Sequence, residues 1–345
     1  MFVRIPAPVS GGLILSYKCN ASCRHCMYAC SPKWRNEWID RDTLNEMLRL
    51  LSGYIRPAYT GSNSIGVNEG LHFTGGEPFL NYELLLYATE KASAYGIPSL
   101  FVETNCFWAK DDETAFQMLS ELKMAGMKGI LISVNPFFLE YVPFERTERA
   151  IEAALRVFRR NVVVYQFEYY RLFKALGIKG KMSFEDFLGI RGARDFMDRT
   201  EFFIMGRAAV KMEELGLFIK YRPESFYSTP CIPSFLRPWH NHYDLYSNIV
   251  PGFCGGLSLG SVFELPLLIE RGIDIERYKI LGFLVNENIE GLLKFAKEYG
   301  YTEKEGGYLS KCHLCLDIRM YLYNIDEKHD LFPELTPDGF YKNLL

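Results

Sequence analysis

A chain of 345 residues is long enough for two domains and buries a sizeable core without disulfide or metal staples. With 48% hydrophobic and 23% charged residues and no apolar run of bilayer length, it reads as a soluble protein with no membrane partner. A formal net charge of -3 disfavours nucleic acid as a partner, because the fold-wide attraction to phosphate is missing.

The apolar start is interrupted by prolines and glycines and no small-residue cleavage site follows, so the expected compartment is the cytoplasm. Nine cysteines is an odd number, and they are clustered. In a reducing compartment they stay thiols, which makes ligation of a metal or cluster their leading explanation.

In chain order, short β-rich runs are expected at 12–17, 71–74, 100–104, 130–134, 162–166 and 202–205. Amphipathic helical patterns separate them at 42–51, 82–94, 112–125, 147–159 and 184–198. This alternation predicts an α/β fold of βα units around a parallel sheet or barrel. After Met205 five prolines, from Pro223 to Pro251, punctuate an aromatic stretch that excludes a long helix. A domain boundary is placed near Tyr221, giving domains 1–220 and 221–345. The second domain offers a hairpin over 243–259, a helix over 289–299, and a cysteine pair opening a last helix near Asp317.

Just after the first strand stands Cys19-Asn20-Ala21-Ser22-Cys23-Arg24-His25-Cys26, three thiols that can converge from one loop on one inorganic centre. Three ligands leave a position open for a small molecule, whereas a structural zinc site, here completed by His25 or Cys30, closes its shell. The second strand ends in Gly75, Gly76, Glu77 and Pro78, where glycines allow close backbone approach and a carboxylate can meet an ammonium group.

These two motifs resemble the radical S-adenosylmethionine superfamily, whose signature is Cys-x3-Cys-x2-Cys on the loop after the first strand. The resemblance implies a partial (β/α)6 TIM-like barrel with a smaller C-terminal α+β iron–sulfur domain. It implies a [4Fe-4S] cluster on Cys19, Cys23 and Cys26, and S-adenosylmethionine bound by Gly75, Gly76, Glu77 and Pro78. By the same resemblance His25 flanks the adenine and Asn105 and Ser133, at the ends of the third and fourth strands, hold ribose hydroxyls. Relatives place Asp where Asn135 stands and glycine where Cys106 stands. Arg207, in Phe202 to Ala208, meets a carboxylate of S-adenosylmethionine or substrate, or caps a salt bridge. Cys106 and Cys30 are either hydrogen-atom donors to a substrate radical or buried packing residues.

Four cysteines remain, Cys231, Cys254, Cys312 and Cys315, enough for one tetrahedral shell. The run before Cys254 resembles the hairpin of SPASM and Twitch extensions, which implies a second, auxiliary [4Fe-4S] cluster; zinc is the alternative. His240, His242 and Asp244 alternate along a strand and are read as a polar strand face or a substrate or metal site.

On the resemblance, the chain reductively cleaves S-adenosylmethionine to a 5′-deoxyadenosyl radical that takes hydrogen from a peptide or protein side chain. The residues ahead of Cys19 are too few for a separate leader-binding domain, which weighs against that substrate. The alternatives are a small-molecule, lipid or cofactor-precursor substrate, and, in another class, a non-catalytic iron–sulfur or zinc-binding protein. An external electron donor such as ferredoxin or flavodoxin is implied.

Overall fold

The computed structural model describes residues 1–198, 200 and 202–345, which form two compact units. The larger comprises Val9–Cys23 and Ser31–Phe202; the second comprises Met1–Pro8, Arg24–Cys30 and Phe203–Leu345.

The larger unit is built on five strands, β1 (Gly11–Ser16), β2 (Leu71–Gly75), β3 (Phe101–Thr104), β4 (Gly129–Ser133) and β5 (Val162–Tyr165). They neighbour one another in that order and every adjacent pair is parallel, with Leu13 opposite Phe73, Phe73 opposite Val102, Val102 opposite Ile130 and Ile130 opposite Val162. Strand β1 is buried along its whole length, as its unbroken apolar run requires in a sheet covered on both faces.

Helices α1 (Arg41–Leu51), α2 (Tyr82–Ala94), α3 (Asp112–Ala125) and α4 (Phe144–Phe158) make the crossovers. The first three start where a side chain satisfies free backbone N–H groups: Asp40 for α1, Asn81 for α2 and Asp111 for α3. Helix α3 stops at Gly126, whose φ of 118° suits glycine.

Helix α4 begins three residues before the expected start, at Phe144 after Pro143. A helix absent from the pattern reading, α5 (Phe167–Ala175), follows β5 directly. The helix expected over 184–198 is two, α6 (Phe184–Gly189) and α7 (Ala193–Asp198), because Ile190 is extended and Gly192 takes a φ of 84°. The sixth strand expected over 202–205 is not formed. Met205 N donates to Phe203 O in a tight turn that leads into Gly206 at a φ of 54°, which leaves no extended run to pair.

In the second unit, β6 (Asn241–Asp244) pairs antiparallel with β7 (Ile249–Val250), a hairpin that starts earlier and ends sooner than the 243–259 reading. Its turn is held by the Asp244 carboxylate, which accepts from Tyr246 N, Asn248 N and Asn248 Nδ2. Helices α8 (Arg207–Glu214), α9 (Lys279–Val285), α10 (Ile289–Glu298) and α11 (Lys311–Ile325) complete its scaffold. The proline-punctuated stretch carries only single turns, Pro223–Phe226 and Ile232–Phe235. Among the described residues no helix is long and apolar enough to cross a membrane.

Candidate functional site

The C-terminal end of β1 runs straight into the first two cysteines. Cys19 N donates to Ser31 O at 3.2 Å, and the Lys18 ammonium holds the carbonyls of Pro32 and Trp34 at 2.6 and 2.9 Å. Tyr141 Oη donates to Ser22 O at 3.0 Å. These contacts pin both ends of the segment that carries Cys19 and Cys23, and both cysteines are buried.

Strand β2 ends against the same segment. Gly76 N donates to Ser16 O at 2.7 Å and Glu77 N to Lys18 O at 3.1 Å. A Cβ on Gly75 would stand 2.4 Å from Ser16 O, and one on Gly76 would stand 1.8 Å from Lys18 O, inside van der Waals contact. Both positions therefore exclude a side chain.

Glu77 is 1% exposed, and its carboxylate gathers three donors. Oε1 accepts from Thr104 Oγ1 at 2.9 Å and Phe79 N at 3.2 Å, and Oε2 accepts from Asn105 N at 2.8 Å. Burial raises its pKa to about 7 against the lowering effect of those hydrogen bonds. The side chain thus ties the end of β2 to the end of β3. Pro78 opens the short turn Pro78–Asn81 behind it.

Asn105 carries the connection onward to the cysteines. Its Nδ2 donates to Asn20 Oδ1 at 2.9 Å and lies 3.8 Å from Cys19 Sγ, while Oδ1 accepts from Phe107 N. Cys106 is fully buried at a φ of 67°, a left-handed conformation that favours glycine. Burial pushes its thiol well up. Ser133 closes β4 opposite Tyr165. Asn135 caps the single turn Pro136–Leu139 by accepting from Phe137 N and Phe138 N, and donates to Gln166 Oε1 at 3.0 Å.

On β2 and β3 a polar group appears that no motif pointed to. His72 Nε2 lies 3.5 Å from Glu103 Oε1, and Thr74 Oγ1 donates to Glu103 Oε2 at 2.6 Å. Alternation places His72 and Thr74 on one face of β2. Burial raises the Glu103 carboxyl to about 7 against the Thr74 hydrogen bond.

Within the second unit the turn 24–30 holds the third cysteine. Cys30 N donates to Cys26 Sγ at 3.3 Å, and a hydrogen bond from the Cys30 thiol, with the Arg207 charge, lowers the Cys26 thiol to about 6. Arg207 is 4% exposed and its Nη2 donates to Ala29 O at 2.7 Å, Cys30 O at 3.0 Å and Asn343 O at 2.9 Å. Its guanidinium gathers backbone carbonyls that close the turn. Burial, with Arg207 nearby, lowers His25 to about 3 and keeps the ring neutral. Gly206 fits because a Cβ there would stand 2.2 Å from Met27 O.

The four remaining cysteines gather in this unit. Cys254 is acted on by the charges of Cys312, Cys231 and Cys315, and burial pushes its thiol well up. Burial raises Cys312 to about 12, with Cys315 and Cys231 adding to the effect. Cys312 and Cys315 stand on the first turns of α11, whose N-terminus Ser310 caps by accepting from His313 N at 3.1 Å. Of the 240–244 run, Asp244 serves the hairpin turn. His242 Nδ1 meets Tyr28 Oη at 2.9 Å, and the rings of His240 and His242 stand 5.0 Å apart.

No protein-family model matches the chain. A protein of Bacillus subtilis (strain 168) named YydG and described as a peptide biosynthesis protein is 24% identical over 138 residues, 40% of this chain and 39% of that one. The match therefore spans about two fifths of that relative's length. Among solved structures, anSMEcpe with bound AdoMet has a TM-score of 0.44 at 15% identity, covering 92% of this chain and 97% of that one. BtrN in complex with AdoMet and 2-DOIA has a TM-score of 0.43 at 13% identity, covering 77% and 82%.

The residues missed from sequence are those that serve other residues. Tyr28, Lys311 and Arg319 lie outside every motif, while His72 and Glu103 lie in the runs that form β2 and end β3, and only the fold pairs them. One signal was present: a lysine directly before Cys312 and an arginine four residues after Cys315 put two cations on the helix that carries that cysteine pair.

Proposed function

We propose that the chain reductively cleaves S-adenosylmethionine and takes a hydrogen atom from a side chain of a peptide or protein. The observation that carries this is the docking of Gly75 and Gly76 along residues 16–18, which sets the end of β2 beside the entry to the cysteine segment. The peptide substrate is supported by the name of the Bacillus subtilis relative.

The donor set fits the implied cofactors. Cys19, Cys23 and Cys26 offer soft thiolates, as an iron–sulfur cluster requires, and a cradle without Cβ atoms follows β2. When bound, a reduced [4Fe-4S] cluster supplies the electron that turns S-adenosylmethionine into a 5′-deoxyadenosyl radical.

The chain's own residues hold and shape that chemistry. Gly75, Gly76 and Pro78 would offer backbone to the methionyl part of the cofactor, while Glu77, its oxygens already engaged, ties the end of β2 to the end of β3. Asn105 directs an amide N–H toward Cys19 Sγ, with Ser133 left as the ribose contact. His25, held neutral, would flank the nucleoside, and Arg207 closes the turn behind Cys26. Cys30 and Cys106 are buried and are assigned structural parts. The five parallel strands are read as part of a partial (β/α) barrel, and 221–345 as a Twitch-like domain. An external donor such as ferredoxin or flavodoxin supplies the electron.

For the second centre a cluster is favoured over zinc by the resemblance of the run before Cys254 to the hairpin of SPASM and Twitch extensions.

Metal analysis of anaerobically reconstituted protein tests both sites. The expected result is about eight iron and eight sulfide per chain, falling to about four in Cys23→Ala and to about four in Cys312→Ala. Only Cys23→Ala loses cleavage of S-adenosylmethionine. Zinc in place of iron, or loss of all iron in either variant, contradicts the two-centre reading. With the intact protein, hydrogen transfer to 5′-deoxyadenosine from a deuterated peptide supports the peptide assignment, and transfer from small molecules alone overturns it.

A further inference from the structure

We propose that Lys311 and Arg319 are the built-in counter-charge of the centre held by Cys231, Cys254, Cys312 and Cys315, and that they set its reduction potential. This rests on the auxiliary-cluster reading above and adds two residues that no motif assigns.

Arg319 is 5% exposed and meets no carboxylate among the described residues. Its Nη1 donates to two neutral oxygens, Gly255 O at 3.0 Å and Tyr341 Oη at 3.3 Å, and its Nε has no hydrogen-bond partner. The residue follows Cys315 by one helical turn on α11, and the carbonyl it holds, that of Gly255, belongs to the residue after Cys254. Lys311 is 7% exposed, directly precedes Cys312, and its ammonium donates to Thr229 O, two residues before Cys231. It likewise forms no ion pair with a carboxylate among the described residues.

Two buried cations without a carboxylate are costly unless another anion balances them. The nearest candidates are the four thiols, and neutral thiols do not serve. Four thiolates around a doubly positive [4Fe-4S] core leave two negative charges, and Lys311 and Arg319 supply two positive ones. The match favours all four cysteines as ligands, because three would leave a cation unbalanced. The two cations flank the cysteine pair on α11, Lys311 directly before Cys312 and Arg319 one turn after Cys315.

The sign of the effect follows. Reduction adds a further negative charge, so a fixed neighbouring cation stabilises the reduced state and raises the potential. Removing the cation lowers it.

The test uses the full chain carrying Cys19→Ala, Cys23→Ala and Cys26→Ala, so that only the C-terminal centre reports. A redox titration followed by electron paramagnetic resonance is run on this parent and on Arg319→Met, Lys311→Met and Arg319→Lys, with iron and sulfide measured in each. In the two Met variants the reduced-to-oxidised ratio at fixed potential should fall at least about tenfold, a shift of about 59 mV to more negative values for a one-electron centre. Arg319→Lys should stay closer to the parent than Arg319→Met. If Arg319→Met does not hold iron, Lys311→Met carries the same test from the Cys231 side. Full cluster content with an unmoved potential in both Met variants overturns the proposal. A parent that lacks iron and sulfide, or holds zinc, overturns the auxiliary-cluster reading itself before any cation is removed.

Discussion

Gly76→Ala is expected to unfold the end of β2 from the cysteine segment and to abolish cluster binding. The added Cβ would lie 1.8 Å from Lys18 O, 2.4 Å from Lys18 C and 3.0 Å from Tyr17 C. All three are backbone atoms, so no rotamer change relieves the clash. Relief must come from separating two strands, which also breaks the Gly76 N to Ser16 O and Glu77 N to Lys18 O hydrogen bonds. Overpacking alone costs roughly 1–3 kcal/mol, and with those bonds the loss should reach about 3 kcal/mol or more. Gly189→Ala is the control, because nothing lies within 4 Å of a Cβ there and the residue ends a helix. It should be neutral or stabilising by up to about 1 kcal/mol. Denaturation midpoints and bound iron check both. A Gly76→Ala protein that keeps its midpoint and its iron would refute the close approach on which the site is built.

Glu77 should be the next most sensitive position. In Glu77→Ala the Thr104 hydroxyl and the backbone N–H groups of Phe79 and Asn105 lose their common acceptor inside the protein. Each stranded donor costs about 1–3 kcal/mol, so a total near 3 kcal/mol is a modest expectation. The residue also gives the stability a pH dependence of definite sign. Its folded pKa is raised by burial to about 7 from the ordinary 4.5, so the folded chain holds a proton that the unfolded chain releases. The associated stability is fully present below about pH 4.5 and is lost as pH rises through about 7, by roughly 3 kcal/mol at most. Glu77→Gln cannot titrate and should remove that part of the decline between pH 5 and pH 8. Because it also sets an amide NH2 against a backbone N–H or the hydroxyl donor, it should be less stable than the parent at pH 5. A decline equal in Glu77→Gln and parent would contradict the assignment.

The sequence is most legible where periodicity and caps agree. Helices α2 and α3 have the expected bounds because Asn81 and Asp111 cap them and apolar residues repeat along one face. The five strands of the larger unit are apolar enough to be read within about two residues. Reading fails where tertiary context decides. The run 202–205 is as apolar as a strand, yet a tight turn at 203–205 and the left-handed Gly206 against Met27 O remove it from any ladder. Helix α5 was hidden because aromatic residues crowd both of its faces. At the site the glycine pair and the thiols were visible as motifs. The commitment of Glu77 to Thr104 and Asn105, and of Arg207 to carbonyls of Ala29 and Cys30, was not, since hydrogen bonds between distant residues leave no local pattern.

The central claim is that this chain makes a carbon radical from S-adenosylmethionine through the cluster on Cys19, Cys23 and Cys26. The most direct measurement is 5′-deoxyadenosine formed by anaerobically reconstituted, dithionite-reduced protein given S-adenosylmethionine, beside Cys23→Ala under the same conditions. The account predicts 5′-deoxyadenosine from the parent and none above background from the variant. Equal amounts from both, or none from a parent that holds zinc in place of iron and sulfide, would contradict it.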